Sequence, residues 1–211
     1  MELIEKNRLS KDFINSLSII KFNGEVKLIN REDEAEQIVK KLKKEQLLGF
    51  DTESKPSFRP GVSHPISLIQ IATLDTAYLF QVNGNGIYPH IKPLLVSKKV
   101  KKIGIGLAHD ITKLKGFNGT TLEGLIDLGT IAKGKGIIQT GARGLTARYL
   151  NKRLVKTSQT TNWAKEILSE KQKTYAATDA WICLMIYPLL INDNIDYHKL
   201  EDELQEKSKP D

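Results

Sequence analysis

The stretch Leu47-Leu48-Gly49-Phe50-Asp51-Thr52-Glu53 opens on a short apolar run and closes on two carboxylates. The run from Leu47 to Asp51 is too brief for a helix and reads as a buried strand. Side chains alternate along a strand, so Asp51 and Glu53, two apart, point to one face. Two same-side acids at the end of a buried strand repel each other unless a cation neutralises them. By itself the pair also fits the end of a surface strand, so its meaning depends on the rest of the chain.

Upstream, Arg31 to Gln46 reads as an amphipathic helix with Ala35, Ile38, Val39 and Leu42 on one face. Before it, Ile19, Ile20, Phe22, Val26 and Leu28 alternate weakly, and Asn23-Gly24 is a hairpin turn signal. Downstream, Ile66 to Ala72 and Ala77 to Phe80 read as two strands, with Asp75 near the turn between them. A helix is expected over Ile91 to Val96, a strand over Lys102 to Gly106, and a helix over His109 to Lys115, closed by Gly116. Lys133-Gly134-Lys135-Gly136 separates this part from a helical C-terminal half. There Ser169, with Gln172 three residues on, spells a capping box for a helix running to about Tyr187. Helices before and between strands predict a mixed α/β domain.

A chain of 211 residues suits one domain, with a core over about residues 30–192 and a polar tail over about 193–211. With 40% hydrophobic and 27% charged residues, it is neither a disordered chain nor a membrane bundle. The longest apolar run, Ala180 to Ile191, is short of a bilayer span and carries Pro188. Met1 to Ser10 mixes charges without an apolar core, so a cytoplasmic address is expected. The single cysteine, Cys183, excludes a disulfide framework and a cysteine-rich zinc site. Thirty-two basic against 25 acidic residues leave a net charge of +7, which fits a polyanionic partner and equally a charge kept for solubility.

Two further acids stand at informative places. Asp110 lies where a strand gives way to a helix, and Asp179 lies inside the last helix among Ala176, Ala177, Ala180 and Trp181. Tyr175, four residues before Asp179, shares its helical face. Carboxylates are hard oxygen ligands suited to Mg²⁺ or Mn²⁺. Gathered together, they hold two cations about 4 Å apart, the arrangement that serves phosphodiester hydrolysis. Competing motifs fail. Gly104-Ile105-Gly106 begins like a dinucleotide fingerprint but lacks the third glycine and the later acid, and no phosphate-loop motif occurs. Ser10 to Ser18, His64 and His90 offer no serine-hydrolase context.

In order and context these residues resemble the DEDDy 3′–5′ exonucleases, in particular the ribonuclease D and Werner-helicase exonuclease group. Phe50-Asp51-Thr52-Glu53 looks like the first motif, and Ile103 to Asp110 followed by Lys113-Leu114 like the second. Tyr175-Ala176-Ala177-Thr178-Asp179-Ala180 is similar to the third. Leu68-Ile69-Gln70-Ile71-Ala72, Gly144-Leu145, Asn162-Trp163, Leu168 and Gln172 also follow the group's spelling, and the likeness covers roughly Glu34 to Leu190. It implies a ribonuclease-H-like fold, a mixed five-stranded sheet flanked by helices on both faces. It implies that Asp51, Glu53, Asp110 and Asp179 ligate two divalent metal ions, Mg²⁺ or Mn²⁺, while Tyr175 helps position and activate the attacking water. The implied substrate is a single-stranded or frayed nucleic acid 3′ end, DNA or RNA, shortened with release of nucleoside 5′-monophosphates. No membrane and no protein partner is implied, and the rival reading is a catalytically inactive nucleic-acid-binding module on the same fold.

Residues for substrate contact are less sharply marked. Thr52, Lys55, Arg59, His109 and Trp163 are the candidates. Lys55 and Arg59, with Phe58, lie in a loop that either meets the phosphate backbone or is simply solvated. His109 either touches substrate or only starts a helix, and Trp163 is a core aromatic or a base-stacking one. Trp181 and Cys183 are expected in the core. Arg143, Arg148, Lys152, Arg153 and Lys156, interleaved with Tyr149, would track a single strand or form a solvated helix face.

Overall fold

The computed structural model describes residues 7–198 except 58, 60, 85, 117, 118, 156, 157 and 159. Two of the expected substrate-facing residues, Phe58 and Lys156, and most of the polar tail therefore lie outside the described residues. The elements are α1 (Lys11–Ser16), β1 (Glu25–Ile29), α2 (Glu32–Leu42), β2 (Leu47–Ser54), β3 (Ile66–Ala72), β4 (Thr76–Gln81) and α3 (Ile87–Leu95). They continue with β5 (Lys101–Gly104), α4 (Ala108–Gly116), β6 (Leu125–Asp127), α5 (Leu128–Gly134), α6 (Ala142–Leu150) and α7 (Glu170–Ile191).

The strands form a six-stranded mixed sheet in the order β1-β4-β3-β2-β5-β6, with helices on both faces. β3 runs antiparallel to β2 and β4, while β1 is parallel to β4 and β5 and β6 follow β2 in parallel. The expectation of five strands is corrected by β6, whose three residues pair with β5 in the register Ile103↔Ile126 and Gly104↔Asp127. Three residues carry no period of their own, and only the neighbouring edge makes them a strand. The expected hairpin at Asn23-Gly24 is also corrected. Among the described residues β1 has no antiparallel partner upstream; Ile20 instead donates its amide to the Arg153 carbonyl (3.1 Å), and Arg153 donates to that of Ser18 (2.9 Å).

Pleating divides the sheet into two chemistries. Leu48 and Phe50 of β2, Ile69 and Ile71 of β3, and Tyr78 and Phe80 of β4 pack under α2, α3 and Leu114 of α4. The opposite face carries Leu68, Leu79, Ala72, Ala77 and Ile103, covered by α7. α2 has three acids in its first turn and two lysines in its last, each sign placed to favour the helix dipole. α7 starts from the predicted capping box, with Ser169 accepting from the Gln172 amide and Gln172 accepting from that of Ser169. By length and composition α7 would also cross a bilayer, a point the reading of its apolar run missed; half of that stretch is buried here, and the helix packs on β2, β3, β4 and β5.

Candidate active site

Gly49 explains how α7 comes so near the central strand. A Cβ on Gly49 would stand 2.1 Å from the Ala180 carbonyl oxygen, so only glycine allows this approach. The next residue on the same face of β2 is Asp51, and the residue before Ala180 is Asp179. One close contact thereby brings carboxylates 128 positions apart in sequence onto a shared spot. Asp51, Glu53 and Asp179 offer oxygens that all lie within 4.8 Å of one another.

The cluster sits in an open cleft of about 600 Å³, which Asp110, Tyr175, His109 and Lys113 also line. Asp110 stands apart from the three-way cluster: it arrives on α4 from the other face of the sheet, and its carboxylate accepts the Thr52 hydroxyl proton. Thr52 points that way because it follows Asp51 and so faces the opposite side of β2. It therefore orients an acid of the cleft, whose wall Thr52 itself also lines. Lys113, one turn along α4 from Asp110, donates to Ser54 Oγ at 2.8 Å and brings a cation to the rim. The second motif already contained it without a role, and its spacing of three from Asp110 on a helix was the signal for one.

Charge crowding and burial show in the proton affinities. Burial, then Asp179, Glu53 and Asp110, push the Asp51 carboxyl well above the usual carboxylate range. Burial also raises Asp110, against the hydrogen bond from Thr52. Tyr175 is raised by burial and then by the charge of Asp179, to which its hydroxyl hydrogen-bonds, so the phenol keeps its proton at neutral pH. Behind the cluster the Cys183 thiol donates to the Asp179 carbonyl at 3.2 Å, and burial pushes its pKa up. It is thus an inert core group, as expected.

Trp163 is fully buried, with its ring centroid 5.9 Å from that of Tyr175, so it braces the tyrosine and does not face the cleft. Gln81 and Asn83 hold the segment after it through the carbonyls of Lys165, Glu166 and Ala164 (3.1 Å each). Lys55 lines the main cleft, and Arg59 lines an adjoining hollow with Pro56, Ser57, Val62 and His64. Three of the basic side chains are tied to the first and last described segments. Arg148 lies over the Tyr197 ring and donates to the Asn7 carbonyl, Arg143 donates to Asn15 (2.6 Å), and Lys152 to Ser18 (2.8 Å).

Three carboxylates with nearly converging oxygens, a fourth across the cleft and no sulfur or imidazole in the cluster fit a hard divalent cation. The profile of the 3′-5′ exonuclease family matches residues 26–193. The chain belongs to this family. Within it, the chain is 34% identical over 164 residues to the mouse bifunctional 3′-5′ exonuclease/ATP-dependent helicase WRN, covering 75% of the chain and 12% of that protein. To a 3′-5′ exonuclease of Arabidopsis thaliana it is 32% identical over 150 residues, covering 68% of the chain and 52% of the relative. The chain thus spans about half or less of these relatives' lengths. Among solved structures, the Nibbler EXO domain of Aedes aegypti superposes with a TM-score of 0.72 at 22% identity, over 88% of the chain and 99% of that domain. Escherichia coli RNase D, an exoribonuclease of structured RNA processing, gives 0.72 at 22% identity over 81% of the chain and 44% of its own. Both likenesses show the fold, the ribonuclease-H-like mixed sheet flanked by helices.

Proposed function

We propose that this chain is a single metal-dependent 3′–5′ exonuclease domain that hydrolyses the last phosphodiester bond of a single-stranded or frayed DNA or RNA end. The observation that carries the reading is the convergence of Asp51, Glu53 and Asp179 beside Asp110 in a cleft open to solvent. Asp51, Glu53, Asp110 and Asp179 would hold two Mg²⁺ or Mn²⁺ ions, which when bound neutralise charge on the phosphate and acidify water. Tyr175, still protonated, would turn its hydroxyl from Asp179 to the attacking water or the phosphate once that carboxylate holds an ion; it does not abstract a proton. Water adds to phosphorus and the P–O3′ bond breaks. The 3′ oxygen leaves with a proton as the new end of the shortened strand, and a nucleoside 5′-monophosphate is released. Lys55, His109 and Lys113 on the cleft wall, with Arg59 beside it, supply cationic or polar contacts for the incoming backbone.

A 5′-labelled oligonucleotide with Mg²⁺ or Mn²⁺ tests the reading. A ladder of products shortened from the 3′ end, lost in EDTA and in Asp51→Asn, is the expected result. Retention of the label on binding, with no shortening at high protein concentration, would instead identify a nucleic-acid-binding module. Parallel DNA and RNA substrates read out the preference, which depends on contacts to the 2′-hydroxyl.

A further inference from the structure

We propose that Asp127 is a positioning residue for the metal site, holding the turn from which Asp110 is presented. Asp127 closes β6 beside Gly104 of β5, at the point where the chain leaves the sheet for Asp110. Its carboxylate collects four amides from two separate segments. Oδ2 accepts from Leu107 at 2.9 Å. Oδ1 accepts from Gly106 at 3.0 Å, from Gly129 at 2.8 Å and, more weakly, from Thr130 at 3.4 Å. The last two amides start α5, so one side chain caps that helix and pins the 105–107 turn against it.

The pinned turn is poised to matter for Asp110. Gly106 has a φ of +75°, a left-handed conformation that leaves its amide and the next one pointing to a common acceptor. Leu107 is fully buried; its amide is tied to Asp127, while its carbonyl accepts from Ile111 at 2.9 Å in the first turn of α4. A single residue, Leu107, therefore links Asp127 to the helix that carries Asp110. Gly129 completes the clamp: a Cβ there would stand 3.1 Å from Asp127 Oδ1 and 3.2 Å from the Thr140 carbonyl, so a side chain would crowd the carboxylate. Thr52 then sets the Asp110 side chain from the other direction. Two outer groups thus fix the acid that stands apart from the three-carboxylate cluster, the kind of support that tunes a metal ligand.

This inference rests on the metal-dependent reading above, and the experiment separates the two. Mn²⁺ binding is measured by calorimetry, and amide hydrogen exchange by mass spectrometry or NMR, on wild type, Asp127→Ala and Asp127→Asn. The expected result is faster exchange at Gly106 and Leu107 and a fall of about tenfold in Mn²⁺ affinity. Oligonucleotide shortening by the variant should recover as Mn²⁺ is raised. A purely structural role would lower Tm without moving the Mn²⁺ concentration for half-maximal activity, and that outcome overturns the inference. Asparagine keeps a carbonyl oxygen for the Gly106 and Gly129 amides but presents its own NH₂ to that of Leu107. It should show a smaller effect of the same kind, and it carries the test should the alanine variant not fold. Unchanged Mn²⁺ affinity in a folded variant whose two amides are released overturns the positioning role and leaves the nuclease reading standing. Absence of Mn²⁺ binding in the wild type overturns both.

Discussion

Asp51 stands where burial and three like charges act on one carboxyl. Its raised pKa means that, in EDTA, the folded chain keeps a proton that the unfolded chain releases near pH ~3.9. Stability from this group is complete below that pH and is lost as pH rises through the folded-state value. Thermal unfolding in EDTA should therefore show Tm falling from about pH 4 upward. Asp51→Asn, by removing the buried charge, should raise Tm at pH 8 by about 2–4 °C, with the gain vanishing at acid pH. Added Mn²⁺ should reverse the wild-type loss, because the ion takes the place of the proton. Tyr175 separates positioning from ligation. Tyr175→Phe removes only the hydroxyl directed at Asp179, so the maximal rate should fall about 100-fold while calorimetric Mn²⁺ affinity stays within about twofold. An affinity loss as large as the rate loss would place Tyr175 among the ligand-holding groups instead.

At the scale of elements, the site depends on how closely α7 lies on β2. Gly49→Ala places a methyl 2.1 Å from the Ala180 carbonyl, so helix or strand must shift. Overpacking of this kind costs about 1–3 kcal/mol, which urea denaturation would resolve. Because Asp179 rides on the shifted helix, Mn²⁺ affinity should fall as well. Gly134→Ala is the control: at the end of α5 its Cβ would meet, among the described residues, no atom beyond its own helix and chain neighbours within 4 Å, and both stability and metal affinity should hold or improve slightly. Several elements were legible from local signals. The capping box at Ser169 and the period-2 placement of Asp51 and Glu53 both stand in the structure. β6 and α6 carried weaker marks, since three residues show no period and the cationic surface of α6 resembles a solvated face. Arg148, read as a candidate for nucleic acid, is buried over Tyr197, where a guanidinium serves as packing and hydrogen-bond donor at once.

Across the whole molecule, the two ends of the described chain meet on one side of the sheet's helical cover. Asn7 donates to the Gly136 carbonyl at 2.9 Å, while Asp193 accepts from Tyr149 (2.7 Å) and Tyr197 (2.9 Å). Asp193→Ala leaves two part-buried hydroxyls without that acceptor and should cost about 1–2 kcal/mol in urea denaturation. None of the three side chains lines the cleft, so the Mn²⁺ dependence of shortening should not change. A shifted Mn²⁺ requirement would show that this clasp reaches the site. The sequence alone determined the candidate ligands and the faces they take, because strand and helix periods relate residues two or four apart. Which of them meet was decided by tertiary structure. Asp179 joins Asp51 through a glycine-to-carbonyl approach, Asp110 is turned onto Thr52, and Asp127 clamps a distant turn. Such contacts join residues 20 to 131 positions apart, and no local period reports a separation of that length.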